Sequence, residues 1–257
     1  TRAGGVSLST PLRDYGSLNL GDHVGDAPEC VARNRQRLAA ALQAQPVFMQ
    51  QIHGTHCVEL DTSSPKATSI SADACSTAAT GIACTIMVAD CLPILFCNAQ
   101  GTQVAACHAG WRGLAAGVIE TSLNSFLNTK TSIQAEKPAW TAIKNDANPI
   151  MAWLGPCIGF EAFEVGSEVR EAFLLRYPRA TAHFKPSRAA GKWLCDLQGI
   201  ARQILHAAGV ATYGNDGSTP WCTYSQPARW FSHRRATQSG CGQAGRMAAC
   251  VWLENPV

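Results

Sequence analysis

The sequence predicts a fold that mixes α-helices and β-strands, and three observations carry the expectation. Apolar runs of five to eight residues, bounded by turn residues, recur along the chain and read as strands. Segments with apolar residues at near-helical spacing stand between them. The connections are short, so strands and helices interleave.

Taken in order, the opening TRAGGVSLSTPLRDYGSLNLGDHVGD is rich in Gly, Ser and Asp and reads as turns joining short extended pieces. Cys30 to Gln43 is helical in pattern, with Pro28 and Glu29 near its start and Val31, Leu38 and Leu42 on one side. Pro46 to Gln50 is a strand that runs into Gln51-Ile52-His53-Gly54. Ile82 to Ala89 is a strand ending in Asp90-Cys91, Pro93 to Cys97 continues as a second apolar piece, and Thr102 to Cys107 is a strand ending in His108. A helix over Leu114 to Leu127 follows the glycines of HAGWRG. Thr129 to Asn148, polar with Pro138 and Pro149, reads as a surface loop. Ile150 to Leu154 is a strand ending in LGPCIG, Ser167 to Arg176 a helix, Asp196 to Ala208 a helix with Asp196 near its N-cap, and Met247 to Leu253 a final strand.

The 257 residues suffice for one large domain or two small ones, and no tract of about 18 uninterrupted apolar residues would span a membrane. With 46% hydrophobic and 15% charged residues the chain has little material for a disordered tail. Its formal charge of +3 comes from 21 basic and 18 acidic residues scattered along the chain, without the clustered Lys/Arg footprint of a nucleic-acid binder. The basic residues are expected to serve a small anionic substrate or solubility. Of the twelve cysteines, Cys84, Cys97, Cys107 and Cys250 lie in or beside apolar runs, where a reduced thiol acts as a small core residue. Reduced cytoplasmic cysteines are therefore expected, not a disulfide framework.

Four apolar runs end in QIHG, ADC, CHAGWRG and LGPCIG, so each delivers a reactive or glycine-rich turn to what can be one rim of a sheet. His53, Cys91 and His108 are the residues among these turns that can ligate a transition metal. Two imidazoles and a thiolate suit zinc, and three protein ligands leave a fourth position open. The spacings of 38 and 17 residues match no compact local motif, so spacing alone is a weak signal for a metal and leaves open a core thiol and two ordinary strand-end histidines. Asp73 in SADA and Asp90 beside Cys91 can orient a ligating histidine, move a proton, or simply cap a turn. Arg112 can bind phosphate with the N–H groups of the following helix, or form a surface ion pair. His233, Arg234 and Arg235 form a second basic cluster that suits an anion and equally a solvated face. His23, His56, His183 and His206 have no supporting context, and Trp111 reads as packing.

TRAGGVS, SLNLG, QIHG, SADA, ADCLPILFCN, HAGWRG, LGPCIG, FEVG and SHRR followed by GRMA, in this order, resemble the YfiH-like family, also called the laccase-domain or polyphenol-oxidase-like family. The likeness extends over nearly the whole chain, and ADCLP with HAGWRG at this separation is highly specific. It implies an α+β fold of packed mixed β-sheets flanked by helices, layered α/β/β/α and related to the cytotoxic necrotizing factors, in a single catalytic domain over residues 1–257. It implies a zinc-dependent purine nucleoside phosphorylase acting on adenosine, inosine and methylthioadenosine, with adenosine deaminase activity. It also implies a metal held by His53, Cys91 and His108. The expected partners are purine nucleosides and phosphate, with no nucleic acid and no membrane.

The chain departs from the family in two places. Family members usually carry a further stretch before the TRxGGVS segment, so an N-terminal strand is expected to be missing. Where the family commonly reads SYRRD and then TGRMA, Ala236 replaces the acid and Ala244 the threonine, and no role for that acid carries over. Two other enzyme classes compete. One is a metal-free hydrolase with Cys91 as nucleophile and His108 as base. The other is a copper polyphenol oxidase, which the older family name suggests but which needs many histidines where only seven exist.

Overall fold

A computed structural model of the chain describes residues 1–64, 70–127 and 149–254. The loop expected over Thr129 to Asn148 falls on 128–148 and so lies outside the described residues. In chain order the elements are β1 (Arg13–Asp14), α1 (Pro28–Leu42), β2 (Gln45–Val47), β3 (Cys57–Glu59), β4 (Ala74–Thr77), β5 (Ile82–Val88), β6 (Leu92–Asn98) and β7 (Val104–Ala109). There follow α2 (Trp111–Ala116), α3 (Val118–Asn124), β8 (Ile150–Leu154), β9 (Glu164–Gly166), α4 (Ser167–Arg176), β10 (Phe184–Pro186) and β11 (Lys192–Cys195). The chain continues through α5 (Leu197–Ala207), β12 (Ala211–Gly214), α6 (His233–Gln238), β13 (Gln243–Ala244) and β14 (Met247–Trp252). The fold is α+β.

A six-stranded mixed sheet in the order β12-β8-β6-β7-β4-β3 forms the centre. Alternation along its strands sends residues to two separate cores. Ala74, Ile94, Phe96, Ala105 and Cys107 pack with Leu114, Ile119, Phe173 and Ile200 of the helices on one face. Cys75, Val104 and Ala106 pack on the other face against Val47, Ile82, Cys84, Ile86 and Met247 of a three-stranded sheet, β14-β5-β2. Both faces are covered, which is why VAAC and ILFC read as unbroken apolar runs instead of alternating ones. Burying a side chain such as Phe96, 1% exposed, contributes roughly 1.5–3 kcal/mol.

Helix α4 has the expected bounds, and Asp196 caps α5 by accepting a hydrogen bond from the Gly199 N–H at 3.0 Å. The helix expected over Leu114 to Leu127 is different. It starts earlier, at Trp111, and breaks at Gly117, whose φ of 104° ends α2 and starts α3. That φ is open to glycine and costly for other residues. All twelve cysteines are free. Cys84 and Cys107 are fully buried as expected, whereas Cys97 and Cys250 are only partly buried. No helix among the described residues is long and apolar enough to cross a membrane.

Candidate metal centre

Strand register brings the candidate ligands together. β6 and β7 pair antiparallel with Leu92 opposite Ala109, so Cys91, one residue before β6, stands beside Gly110, one residue beyond β7. β4 pairs antiparallel with β7 with Ala74 opposite Cys107, which sets Asp73 against His108; the His108 N–H donates to the Asp73 carbonyl at 2.7 Å. β3 runs parallel to β4 with Cys57 opposite Ala74, so the QIHG turn leading into β3 arrives at the same end. The ligand atoms of His53, Cys91 and His108 lie within 4.8 Å of one another. Cys91 Sγ is 4.0 Å from His53 Nε2, and the two imidazole rings meet edge to face with centroids 4.8 Å apart.

One buried carboxylate holds this arrangement. Asp73 Oδ1 is 2.8 Å from His108 Nδ1 and accepts the His53 N–H at 2.9 Å, while Oδ2 accepts the Ile52 and Gly54 N–H groups at 3.0 and 2.7 Å. With Nδ1 engaged, His108 keeps Nε2 for a ligand, the arrangement in which a carboxylate fixes the ring of a metal-bound histidine. The same contacts support the QIHG turn, where His53 has a φ of 62°. Burial raises the Asp73 pKa, but the His108 contact and the N–H donors outweigh it and hold the carboxyl below its usual value.

Two glycines of HAGWRG are explained by crowding. A Cβ at Gly110 would lie 3.0 Å from Cys91 Sγ and 3.0 Å from His53 Cδ2, and one at Gly113 would lie 2.7 Å from the Gly54 carbonyl. Gly110 leaves room for the cluster, and Gly113 lets the QIHG turn rest on α2. Burial alone would raise the Cys91 thiol, yet His108 and then His53 lower it to about 6. Burial would lower His108, but Cys91 and Asp73 raise it to about 9. The two shifts favour a thiolate facing an imidazolium. Two imidazoles and a readily formed thiolate, gathered at a cleft, are a donor set that could hold a metal ion.

The cluster opens into a cleft of about 1260 Å³ lined by four arginines, Arg35, Arg112, Arg234 and Arg246, and by His23 and His233. Asp90 lies at its edge with a φ of 95°, and both its oxygens are engaged: Oδ1 accepts from Thr223 Oγ1 at 2.6 Å and Oδ2 from the Arg234 N–H at 2.7 Å. It stitches the Cys91 turn to the start of α6. Arg112 is exposed, stacks on Trp111 at 4.4 Å, and makes no ion pair among the described residues. His233 and Arg234 line the cleft, but Arg235 does not; its guanidinium donates to the carbonyls of Thr223, Tyr224 and Trp230. Successive helical residues point about 100° apart, so HRR cannot act as one basic face. Sequence reasoning missed His23, Arg35 and Arg246, although Arg246 lies within GRMA and His23 two residues after SLNLG.

Residues 1–254 match the family described as multi-copper polyphenol oxidoreductase laccase. The chain is 43% identical over 255 residues to a purine nucleoside phosphorylase of Pseudomonas aeruginosa, covering 99% of this chain and 92% of that one. It is 45% identical over 256 residues to the purine nucleoside phosphorylase YfiH of Escherichia coli, covering 98% and 91%. Among solved structures, a Neisseria meningitidis protein superposes with a TM-score of 0.81 at 40% identity, covering 99% and 92%. The YfiH protein of Bacillus licheniformis gives 0.81 at 25% identity, covering 99% and 91%. With its motifs, fold and full-length likeness in agreement, the chain belongs to the YfiH family of laccase-domain proteins.

Proposed function

We propose that this protein is a zinc-dependent purine nucleoside phosphorylase that cleaves adenosine, inosine and methylthioadenosine with phosphate, and that it also deaminates adenosine. The observation that carries the reading is the convergence of His53, Cys91 and His108 within 4.8 Å in a cleft rich in cations. Relatives over 40% identical bear the name purine nucleoside phosphorylase, which supports the substrate class. Residues 1–257 are read as one catalytic domain, because both cores draw on the same strands, β4 and β7. Free cysteines throughout support a reducing, cytoplasmic setting.

Phosphorolysis breaks the bond between ribose and purine, so it needs a bound phosphate and a means of accommodating charge on the leaving base. The unpaired Arg112 at the cleft supplies a donor for the phosphate, and Arg234 and His233 supply further polar contacts for substrate. Asp73 acts by orientation, holding His108 and the His53 turn for ligation. Asp90 acts the same way on the Cys91 turn and α6. When bound, zinc supplies a Lewis acid with an open coordination position. Among the described residues there is one such cluster, which argues for zinc over the several centres of multicopper oxidation.

A second reading is favoured by the charge pair of Cys91 and His108, which suits a metal-free cysteine hydrolase. One experiment separates the two. Protein of known metal content is incubated with adenosine, with and without phosphate, and the products are chromatographed. Adenine formed only with phosphate, together with inosine or hypoxanthine, supports the phosphorylase. Absence of both product types in zinc-loaded protein rejects it.

A further inference from the structure

Arg246 is a cation in the cleft to which this reading assigns no task. Its side chain is half-buried, and Nη1 donates only to nearby carbonyls, those of Ala244 at 2.7 Å and Gly245 at 3.4 Å. Among the described residues it forms no ion pair, whereas Arg35 in the same cleft lies 3.1 Å from Asp22. The fields of the Cys91 sulfur first and of the Asp90 carboxylate second reach Arg246, but neither group is bonded to its guanidinium, and Asp90 has both oxygens bound by Thr223 and the Arg234 N–H. A partly desolvated guanidinium with no anion bonded to it is costly.

The chain builds closely around this side chain. Asn19 Oδ1 accepts both the Arg246 N–H at 2.9 Å and the Gly21 N–H at 3.0 Å, and the Leu20 N–H donates back to the Arg246 carbonyl at 3.0 Å. Gly21 lies so close that a Cβ there would stand 2.8 Å from Arg246 Cγ. The SLNLG and GRMA segments thus form one unit, and this unit brings His23 to the cleft wall near Arg246. His233, the first residue of α6, lines the same cleft. Burial first, and the Arg246 charge second, lower the pKa of both imidazoles, which favours the neutral form that donates a hydrogen bond without adding charge.

We propose that Arg246, flanked by His23 and His233, is the inner oxyanion site of the cleft and takes the inorganic phosphate co-substrate, with exposed Arg112 as an outer contact. A guanidinium fork matches a pair of phosphate oxygens, and partial desolvation strengthens that contact. The choice of phosphate rests on the phosphorylase reading; the existence of an anion site rests on the geometry. The 5′-phosphate of a nucleotide has the same chemistry, so it forms the second arm of the test.

Inorganic phosphate and adenosine 5′-monophosphate are titrated calorimetrically into metal-loaded wild type, Arg246→Gln, Arg246→Lys and His23→Ala, and phosphate KM values for base release are measured alongside. Arg246→Gln should weaken phosphate binding about tenfold or more at unchanged metal content, Arg246→Lys should recover part of the loss, and His23→Ala should weaken it severalfold. Should Arg246→Gln fail to fold, the Lys and His23 variants still decide the matter. Unchanged phosphate binding in the folded variants, or loss of metal alone, overturns the site. Binding by the nucleotide but not by phosphate overturns the co-substrate assignment. Phosphate binding that depends on Arg246 in a protein releasing no base keeps the site and ends the phosphorylase reading. Phosphorolysis with a wild-type phosphate KM in Arg246→Gln does the reverse.

Discussion

Asp73 and His108 meet at 2.8 Å, carboxylate Oδ1 to ring Nδ1, with exposures of only 0% and 3%. The same carboxylate accepts three N–H groups from residues 52–54, so one side chain positions two of the three candidate ligands. Asp73→Asn should lower metal affinity by roughly 10–100-fold, the usual cost of losing such a partner. It should also destabilise the fold by about 1–3 kcal/mol, since an amide NH2 must face backbone donors. Competitive chelator titration and denaturant unfolding measure the two effects.

Asp73 also sets an acid limb of stability. Its folded pKa lies below the ordinary carboxylate value of about 3.9, so its contribution is present above that value and lost as pH falls through the lower folded one. Unfolding of the metal-free protein across the acid range should show this loss, and Asp73→Asn should flatten it.

Gly110→Ala and Gly113→Ala should separate site from scaffold. The added Cβ at Gly110 presses on Cys91 and His53, so metal affinity should fall while the fold persists. At Gly113 it meets the rigid Gly54 carbonyl at 2.7 Å, so thermal stability should fall as well, by about 1–3 kcal/mol. Melting curves and metal content of the two purified variants check the contrast.

In metal-free protein the Cys91 thiol is lowered to about 6 by the imidazoles facing it. Its thiolate should therefore persist as pH falls from 9 towards 6, where an ordinary thiol with a pKa of about 8.5 is largely protonated. Ultraviolet thiolate absorbance, compared with Cys91→Ser, measures the midpoint. His108→Ala removes the first lowering influence and should move it upward.

Arg112→Ala should raise the phosphate requirement for adenosine cleavage by about tenfold, the lower end expected for a lost charged hydrogen bond at an exposed position. Deamination uses water and no phosphate, so it should change less. The ratio of the two rates across a phosphate series shields the test from general damage to the fold.

The three ligand candidates were legible in the sequence because each sits where an apolar run stops, and the residue types suit a metal. Their convergence was not, since it follows from strand pairing across distant parts of the chain. β3 and β4 are short and built of residues such as Ala, Cys and Ser, which carry little strand signal, yet their register puts Asp73 against His108. The break at Gly117 was hidden by apolar spacing that continues through α2 and α3, although the glycine itself was the cue. Arg235 turns inward to three carbonyls while Arg234, one residue earlier, reaches the cleft, a difference that a basic dipeptide does not reveal. Arg246 went unnoticed because its enclosure comes from Asn19 to Gly21, at the other end of the chain.

The most direct test of the central claim is metal removal followed by stepwise return of zinc, with phosphate-dependent release of adenine from adenosine followed at each step. The account predicts that stripped protein releases no base, that activity rises linearly to one zinc per chain, and that Cys91→Ser protein does not recover. Full activity in stripped protein, or no phosphate-dependent release at one zinc per chain, would contradict it.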